Sequence, residues 1–196
     1  CYTKIIKDNN KPQVLHTIDA IDKEFQLYER AFGDREKPVV RQLQWGGGTP
    51  NYLSEQQFDK LMGSLKSAFS LDLLDEFALE VDPRTVSTQD IKKLNAFGVN
   101  RISMGIQDFN PQVQEAINRV QPLDFILELI ETMDDGTSLN FDLIYGLPHQ
   151  TVSTFSETID TCIKIGADRL SIYCYDHTPD IHRHHALMNP LLMPSK

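Results

Sequence analysis

Polar residues and glycines occur where several short β-rich segments of the sequence end. Three glycines at positions 46–48 follow one such segment, and Thr49 after them adds a hydroxyl. Glycine amides and carbonyls can contact a ligand directly because no side chain covers them. Other segments end near Glu80, near Gln107 and near Asp176, and Asp142 lies within the fourth segment. Such loops converge at one edge of a parallel sheet, so they predict a site for a polar, cationic small molecule.

Each of these candidates also fits a role without a ligand. The triple glycine at 46–48 is compatible with a tight turn, and it lacks both the GxGxxG spacing of dinucleotide sites and the GK[ST] ending of phosphate loops. Asp142 is the strongest single candidate, because Phe141 and Leu143 flank it and burying its charge without a partner is costly. Solvated surface positions remain an alternative for Glu80, Gln107 and Arg119.

The histidines and cysteines predict no metal ligands within this chain. His177, His182, His184 and His185 crowd one short stretch, but no acidic or cysteine ligand completes a recognisable spacing. The three cysteines, at positions 1, 162 and 174, are too scattered for a disulfide scaffold. We expect Cys162 in a helix and Cys174 in a strand, both as small buried residues.

Strand and helix patterns alternate along the chain and predict parallel β/α units. Strands are expected at about 39–45, 77–81, 101–106, 139–145 and 169–175. Helices are expected at about 15–32, 54–69, 87–97, 124–133 and 151–165, with a short one after Asn110. Trp45 is expected in the core. Periodicity leaves an open sheet and a barrel as alternatives, and we expect one domain over residues 1–179 with an irregular tail over 180–196.

Charge and hydropathy restrict the partners. The net charge of −9 and the pI near 5.1 disfavour binding to nucleic acid or to an anionic membrane, because both need a basic protein face. No apolar run approaches the roughly 20 residues that cross a bilayer, and no secretory signal pattern is present. We therefore expect a cytoplasmic protein with no nucleic-acid or membrane partner.

Four motifs together resemble those of the oxygen-independent coproporphyrinogen III oxidases. They are QWGGGTP at 44–50, EVDP at 80–83, NRISMGIQDFN at 100–110 and DLIYGLP at 142–148. The resemblance covers residues 1–179. It implies an α/β fold, a partial (β/α)6 radical S-adenosylmethionine (radical SAM) barrel that is incomplete at both ends, with about five parallel strands and flanking helices.

The same resemblance implies the chemistry and the cofactor site. S-adenosylmethionine and a [4Fe–4S] cluster would give a 5′-deoxyadenosyl radical, which starts the oxidative decarboxylation of coproporphyrinogen III to protoporphyrinogen IX. Gly47, Gly48 and Thr49 would hold the methionine end of the cofactor, and Glu80, Gln107, Arg119 and Asp142 would complete the site. Asp176 is carried over weakly, since the family more often has Ala there. The resemblance assigns no catalytic residue in this chain.

The chain departs from the family in lacking the CxxxCxxC loop that binds the cluster. Cys1-Tyr2-Thr3-Lys4 resembles the segment just after that loop. We therefore expect the ligating cysteines upstream of a fragment that is inactive alone. The electron donor is not identified by the sequence.

Two other functions remain open at this stage. A related haem chaperone shares the GGGTP and YGLP motifs, but its relatives tend to read EANP and GVQSF where this chain has EVDP at 80–83 and GIQDF at 105–109. The oxidase pattern fits these positions better. The third possibility is a cluster-free β/α domain with a structural or interaction role.

Overall fold

Helices and strands alternate along the chain in the computed structural model, which describes residues 12–33, 35–47 and 50–195. The chain divides into two units, one that ends at Glu80 and one that begins at Val81. The first elements are α1 (Pro12–Phe32), β1 (Gln42–Trp45), α2 (Glu55–Ala68) and β2 (Glu76–Val81). They are followed by α3 (Thr88–Ala96), β3 (Arg101–Gln107), α4 (Pro111–Ala116), α5 (Leu123–Glu131), β4 (Ser138–Tyr145), α6 (Val152–Ile165) and β5 (Arg169–Cys174).

In the first unit, β1 pairs with β2 in parallel, in a register that runs from Gln42 opposite Glu76 to Trp45 opposite Leu79. The strand is shorter than the predicted 39–45, because Val39 makes only an isolated bridge to Ser70. Strand β1 therefore begins three residues later than its apolar pattern suggested.

The core of the first unit forms between its helices and strands. Ile18 of α1 and Leu61 of α2 belong to one buried cluster. The Trp45 ring packs against Phe58 and Phe77, with centroid distances of 4.4 and 5.6 Å. This confirms the prediction of a core role for Trp45, since aromatic pairs at these distances stabilise a core beyond the area they bury.

Local sequence signals set the ends of several helices. Before α2, Ser54 and Gln57 form a capping box, in which the Gln57 amide NH donates to Ser54 Oγ at 3.3 Å and the Ser54 amide NH donates to Gln57 Oε1 at 2.9 Å. Thr151 caps α6 in a similar way, and Gly166 ends that helix at φ +90°, a conformation that glycine adopts without strain.

In the second unit, β3, β4 and β5 pair in parallel in chain order. Side chains alternate between the two faces of these strands. Apolar residues with 0% exposure, among them Met104 and Phe141, lie on one face. Ser103, Asn140 and Ser171 lie on the other. Parallel sheets that are covered on both faces are usually apolar on both, so the polar face is the one that can carry a site.

The end of the described chain corrects one prediction. Cys162 in α6 is 0% exposed, as predicted, but Cys174 is exposed because most of β5 faces solvent.

The tail after β5 contains two short 3-10 helices, Arg183–Leu187 and Pro190–Leu192, and the His149 amide donates to the Leu192 carbonyl at 2.7 Å. The predicted domain boundary at 179/180 stays a prediction. Across the described ranges, no helix combines the length and hydropathy needed to cross a bilayer.

Candidate cofactor site

Glu80 and the glycine loop meet at the strand ends of the first unit. The Gly47 amide donates to Glu80 Oε2 at 3.0 Å. A Cβ at Gly46 would lie 2.5 Å from the Glu80 Cδ, so a side chain at this position would require the Glu80 carboxylate to move. The first unit thus joins two of the sequence candidates, Gly47 and Glu80. Gly48 and Thr49 lie outside the described residues.

Gln107 occupies a strained turn at the end of β3 in the second unit. Its φ is +72°, and the Asp108 amide donates to the Ile106 carbonyl at 2.9 Å across it. A hydrogen bond between residues i and i+2 around a positive φ is the rare, strained form of the γ-turn. The pairing of β3 with β4 shifts register between Gly105 and Gln107, as in a β-bulge. Bulges and strained residues of this kind occur frequently beside functional sites.

The carboxylate of Asp108 anchors this turn. Asp108 is 0% exposed and accepts hydrogen bonds from the Asn110 amide at 2.6 Å, Thr158 Oγ1 at 2.7 Å and Gln150 Nε2 at 2.5 Å. A buried carboxylate with three donors is satisfied within the protein. Asp108 is therefore a structural residue that holds Gln107 in place.

Arg119 reaches back from the loop after α4 to the same strand end. Its Nη2 and Nε donate to the Gly105 carbonyl at 2.8 and 3.3 Å. Gln121 adds a bond from its Nε2 to that carbonyl at 3.2 Å, and Gln114 Oε1 accepts from the Gln121 amide at 2.9 Å. These contacts tie the loop to β3, so the guanidinium, with a side chain 20% exposed, is held in place.

Asp82 is a second partner of Arg119. Its Oδ1 lies 3.3 Å from Arg119 Nη2, and Arg84 forms a bidentate pair with it through Nε at 3.0 Å and Nη2 at 2.7 Å. Burial acts to raise the pKa of Asp82, but the Arg84 hydrogen bonds and the Arg119 charge outweigh it, so the pKa lies below its usual value. Burial lowers the pKa of Arg119, and the Asp82 charge opposes that shift.

Sequence reasoning did not select Asp82 or Arg84 as site residues. One signal was present in the order Asp82-Pro83-Arg84. An aspartate before proline commonly caps a helical turn, and the Asp82 side chain does accept from the Arg84 amide. The contact with Arg119, 37 positions further along the chain, has no local signal.

The donors of Arg119 and Gln107 converge on Gly105. A Cβ at Gly105 would lie 2.9 Å from Arg119 Nη2 and 2.9 Å from Gln107 Nε2. The two donors, one charged and one neutral, lie where a side chain at position 105 would be, and we call this pair of donors over the Gly105 backbone the Gly105 cradle. Such a donor pair suits a carboxylate.

Asp142 lies beside this cradle. It is the residue of β4 that pairs with Gly105 of β3. Its carboxylate accepts from Asn140 Nδ2 at 2.9 Å and contacts Ser103 Oγ at 3.4 Å. The second unit therefore places an acidic acceptor next to a pair of donors, which is an arrangement suited to a ligand that carries both a carboxylate and an ammonium or hydroxyl group.

Comparisons with known proteins identify the superfamily of the chain. Residues 1–162 match the Radical SAM superfamily. The chain belongs to the radical SAM superfamily. Membership implies S-adenosylmethionine and a [4Fe–4S] cluster as the cofactors of the whole protein.

Among similar radical SAM proteins are oxygen-independent coproporphyrinogen III oxidases. The one from Salmonella typhimurium is 42% identical over 166 residues, which are 84% of this chain and 36% of that protein. The one from Synechocystis is 39% identical over 181 residues, 91% of this chain and 38% of that protein. The solved coproporphyrinogen III oxidase of Escherichia coli has a TM-score of 0.85 and 37% identity, and the match covers 100% of this chain and 45% of that one.

These comparisons confirm the predicted resemblance and fold class. Five parallel strands with flanking helices match a partial radical SAM barrel. The chain spans less than half of the length of the relatives described above.

The structure places the predicted cofactor residues in separate groups. Gly47 and Glu80 meet in the first unit. In the second unit, Gln107 and Arg119 face Gly105, which pairs with Asp142. Asp176 is exposed in the loop after β5, where its charge adds to the effect of burial in raising the pKa of the neighbouring Tyr175.

The described residues do not fit a [4Fe–4S] cluster. Within the part of the chain that the structure describes, no three His, Cys, Asp or Glu side chains are grouped so that they could hold a metal ion. Cys162 is fully buried, and burial raises its pKa to about 12, whereas Cys174 is exposed on β5. A cluster needs several thiolates at close spacing, so these two cysteines do not supply its site.

Proposed function

We propose that this chain forms the S-adenosylmethionine-binding part of an oxygen-independent coproporphyrinogen III oxidase. The whole protein would oxidatively decarboxylate coproporphyrinogen III to protoporphyrinogen IX in haem biosynthesis. The observation that carries the proposal is the cradle at Gly105, where Arg119 Nη2 and Gln107 Nε2 converge beside Asp142. The names of the similar proteins support the choice of substrate.

The cradle fits the methionine carboxylate of the cofactor. Arg119 would donate charge-assisted hydrogen bonds to it, and Gln107 would add a neutral donor. Both groups already lie together over the Gly105 backbone, each within 2.9 Å of the position of a Cβ there. Because Asp82 and the Gly105 carbonyl hold the guanidinium, little side-chain entropy would be lost on binding.

Asp142 and Glu80 would accept hydrogen bonds from the rest of the ligand. S-adenosylmethionine carries an ammonium group, two ribose hydroxyls and a sulfonium charge, all of which suit carboxylate partners. Asp142 has acceptor capacity beyond its contacts with Asn140 and Ser103, since an ionised carboxylate offers about four lone-pair positions. We also assign Gly47, Gly48 and Thr49 to this site, and Asp176 as its weakest member.

These residues bind and orient the cofactor; the reaction itself depends on cofactor chemistry. Bound S-adenosylmethionine supplies the hydrogen abstraction that begins decarboxylation of a propionate side chain. Protein groups at fixed positions hold the reactive carbon toward the substrate and exclude competing reactions. A haem chaperone is the less favoured alternative, since the relatives described above are named as oxidases.

We infer a cytoplasmic protein that receives electrons from a separate donor. Its acidic charge of −9 disfavours anionic partners, which supports the absence of nucleic-acid and membrane binding. The donor would be a reduced protein or small molecule, since oxidative decarboxylation begins with a reductive step on the cofactor.

Binding of S-adenosylmethionine to the 196-residue chain tests the site. We expect the wild-type chain to bind the radiolabelled cofactor in equilibrium dialysis. We expect Gly105→Ala to weaken binding at least about tenfold, because its methyl group would displace Arg119 Nη2 and Gln107 Nε2. The matched control is Gly63→Ala in α2, where a Cβ meets nothing within 4 Å and where alanine favours the helix. Equal affinities in all three chains would contradict the cradle as the binding site.

The oxidase activity requires a protein of the relatives' length that contains this chain. After anaerobic reconstitution with iron and sulfide, it should convert coproporphyrinogen III to protoporphyrinogen IX in the presence of S-adenosylmethionine and reductant. Both porphyrin product and 5′-deoxyadenosine would be quantified by chromatography. Cofactor cleavage without porphyrin product would point to another substrate, and stable haem binding without decarboxylation would favour the chaperone.

A further inference from the structure

A row of polar side chains crosses the three strands of the second unit. Ser103 on β3, Asn140 and Asp142 on β4, and Ser171 on β5 lie on the face opposite the apolar core. Asn140 stands at the centre of the row, and it is only 6% exposed. A buried amide in a sheet requires hydrogen bonds at both ends, since each unmade bond costs free energy.

Asn140 has partners at both ends of its amide. Its Nδ2 donates to Ser103 Oγ at 2.6 Å and to Asp142 Oδ1 at 2.9 Å, and its Oδ1 accepts from Ser171 Oγ at 3.2 Å. This assignment of oxygen and nitrogen is the one that the network requires, because an ionised carboxylate only accepts and the nitrogen must therefore face Asp142.

Ser103 is oriented by the same network. Its Oγ accepts from Asn140, so its single proton is left for the Asp142 carboxylate, whose two oxygens lie 3.4 Å away. The weaker geometry of this contact makes Asn140 the main donor to Asp142. The Asp142 carboxylate is thus held by a side chain that is itself fixed from both neighbouring strands.

We propose that Asn140 is a positioning residue, which holds the Asp142 carboxylate in the orientation that binds S-adenosylmethionine. The inference rests on the proposed function, because it assumes that Asp142 contacts the cofactor. It adds a residue outside the cofactor-binding set assigned above. Groups that hold a binding residue in one rotamer raise affinity by removing conformational freedom before the ligand arrives.

A double-mutant cycle separates this role from a purely structural one. The four chains are wild type, Asn140→Leu, Asp142→Asn and the double variant, and the measured quantity is S-adenosylmethionine affinity by equilibrium dialysis. We expect Asn140→Leu to weaken binding about tenfold, as the loss of a hydrogen bond to a charged group does. Asp142→Asn should weaken it at least as much. In the Asp142→Asn background, Asn140→Leu should cost less than about twofold, because its effect passes through the carboxylate.

Fully additive losses in the double variant would overturn the positioning role, since they would show that Asn140 acts independently of Asp142. An unchanged affinity in Asn140→Leu, with Asp142→Asn weakened, would also overturn it and would leave the proposed cofactor site standing. An unchanged affinity in Asp142→Asn would instead contradict the assignment of Asp142 to the cofactor, and the positioning role would fail with it.

Two further variants guard against loss of the fold. Ser103→Ala removes the second donor to Asp142 with a smaller change in volume, and we expect about a threefold loss of affinity. If Ser103→Ala does not weaken binding, and a folded Asn140→Leu variant binds with wild-type affinity, then the network does not position Asp142. The control is Asn95→Leu. Asn95 lies away from the row, and its amide donates to the Thr132 carbonyl at 3.3 Å and to Asp134 at 3.0 Å. It should bind with wild-type affinity.

Discussion

Gln107 combines a backbone conformation that costs free energy with a side chain placed at the Gly105 cradle. A non-glycine residue with φ near +72° is strained, at a cost of about 1 kcal/mol or more. The surrounding structure maintains the strain through the buried Asp108 on one side and the Arg119 and Gln121 contacts to Gly105 on the other. At position 107, the residue that gives the most stable fold is therefore not the residue that binds the ligand most tightly.

Substitution of Gln107 tests this opposition. We expect Gln107→Gly to be more stable than Gln107→Ala by about 1 kcal/mol, because glycine removes the strain and alanine keeps it. Both variants should bind S-adenosylmethionine more weakly than wild type, since both lack the amide donor. Urea unfolding followed by circular dichroism measures the first effect, and equilibrium dialysis measures the second.

Gln44 provides a matched control on β1, where it occupies an exposed position in regular strand. There alanine should be more stable than glycine, which is the ordinary order in a strand. The same order at position 107 would show that the turn carries no strain that matters for folding.

At the scale of residues, the sequence predicted a contact where the signal lay in neighbouring positions, and did not predict contacts between residues far apart in the chain. The charge of Asp142 between Phe141 and Leu143 was a sufficient signal of a buried partner or ligand, and the structure gives it Asn140 and Ser103. The Ser103 contact depends on the register of β3 against β4, which hydrophobic alternation does not encode. The assignment of Gly48 and Thr49 to the cofactor stays a prediction.

At the scale of elements, Asp108 connects the end of β3 to α6 and to the loop before that helix. It binds Thr158 of α6 and Gln150 of the loop, in addition to the Asn110 amide that begins α4. Three elements thus meet at one buried carboxylate. Such hydrogen bonds between elements fix the direction in which the strand continues into its loop, and so they determine the position of Gln107.

Asp108→Asn should therefore destabilise the chain by about 2 kcal/mol. The new amide NH2 must face at least one of the donors that the carboxylate accepted, which leaves buried donors unpaired. Urea denaturation measured by circular dichroism gives the change in the free energy of unfolding.

Asp90→Asn is the corresponding control, because it makes the same chemical change in the exposed capping box of α3. It should cost less than about 1 kcal/mol. Equal losses at positions 90 and 108 would argue against a special anchoring role for Asp108.

Element boundaries were most predictable where caps mark them. Ser54 with Gln57, Asn110 with Pro111, and Gly166 all lie at the helix ends that the sequence predicted. The start of β1 and the burial of Cys174 were wrong. Both depend on neighbours: Val39 has only an isolated bridge to Ser70, and β5 exposes much of its surface in the described structure.

At the scale of the whole molecule, the two described cysteines report on the integrity of the fold. Cys162 is 0% exposed, and its burial, with a smaller contribution from the Asp108 charge, raises its pKa to about 12. Cys174 is exposed. Only the thiolate reacts with alkylating reagents, so burial protects Cys162 both by access and by protonation.

Iodoacetamide at pH 8 should therefore modify Cys174 in the native chain and leave Cys162 largely unmodified. In urea, both cysteines should react at comparable rates. Peptide mapping by mass spectrometry after timed quenching measures the two rates separately. Rapid native modification of Cys162 would mean that α6 opens readily and that the Asp108 anchor does not hold it.

The fold class was predictable for the whole chain, because five alternating units and four ordered motifs pointed to the same architecture. Periodicity alone left a barrel and an open sheet as alternatives, and the resemblance decided between them. The two-unit division at Glu80 and Val81 had no signal in composition, since the boundary falls inside strand β2 rather than in a linker.

The two α-hydrogens of Gly105 have unequal surroundings. The pro-S hydrogen occupies the direction of an L side chain, toward Arg119 Nη2 and Gln107 Nε2, whereas the pro-R hydrogen points away from that direction. An anion bound by those nitrogens would change the surroundings of the pro-S hydrogen more than those of the pro-R hydrogen. When the pro-R hydrogen of glycine is replaced by deuterium, the resonance of the remaining α-proton of Gly105 therefore reports whether the site is filled.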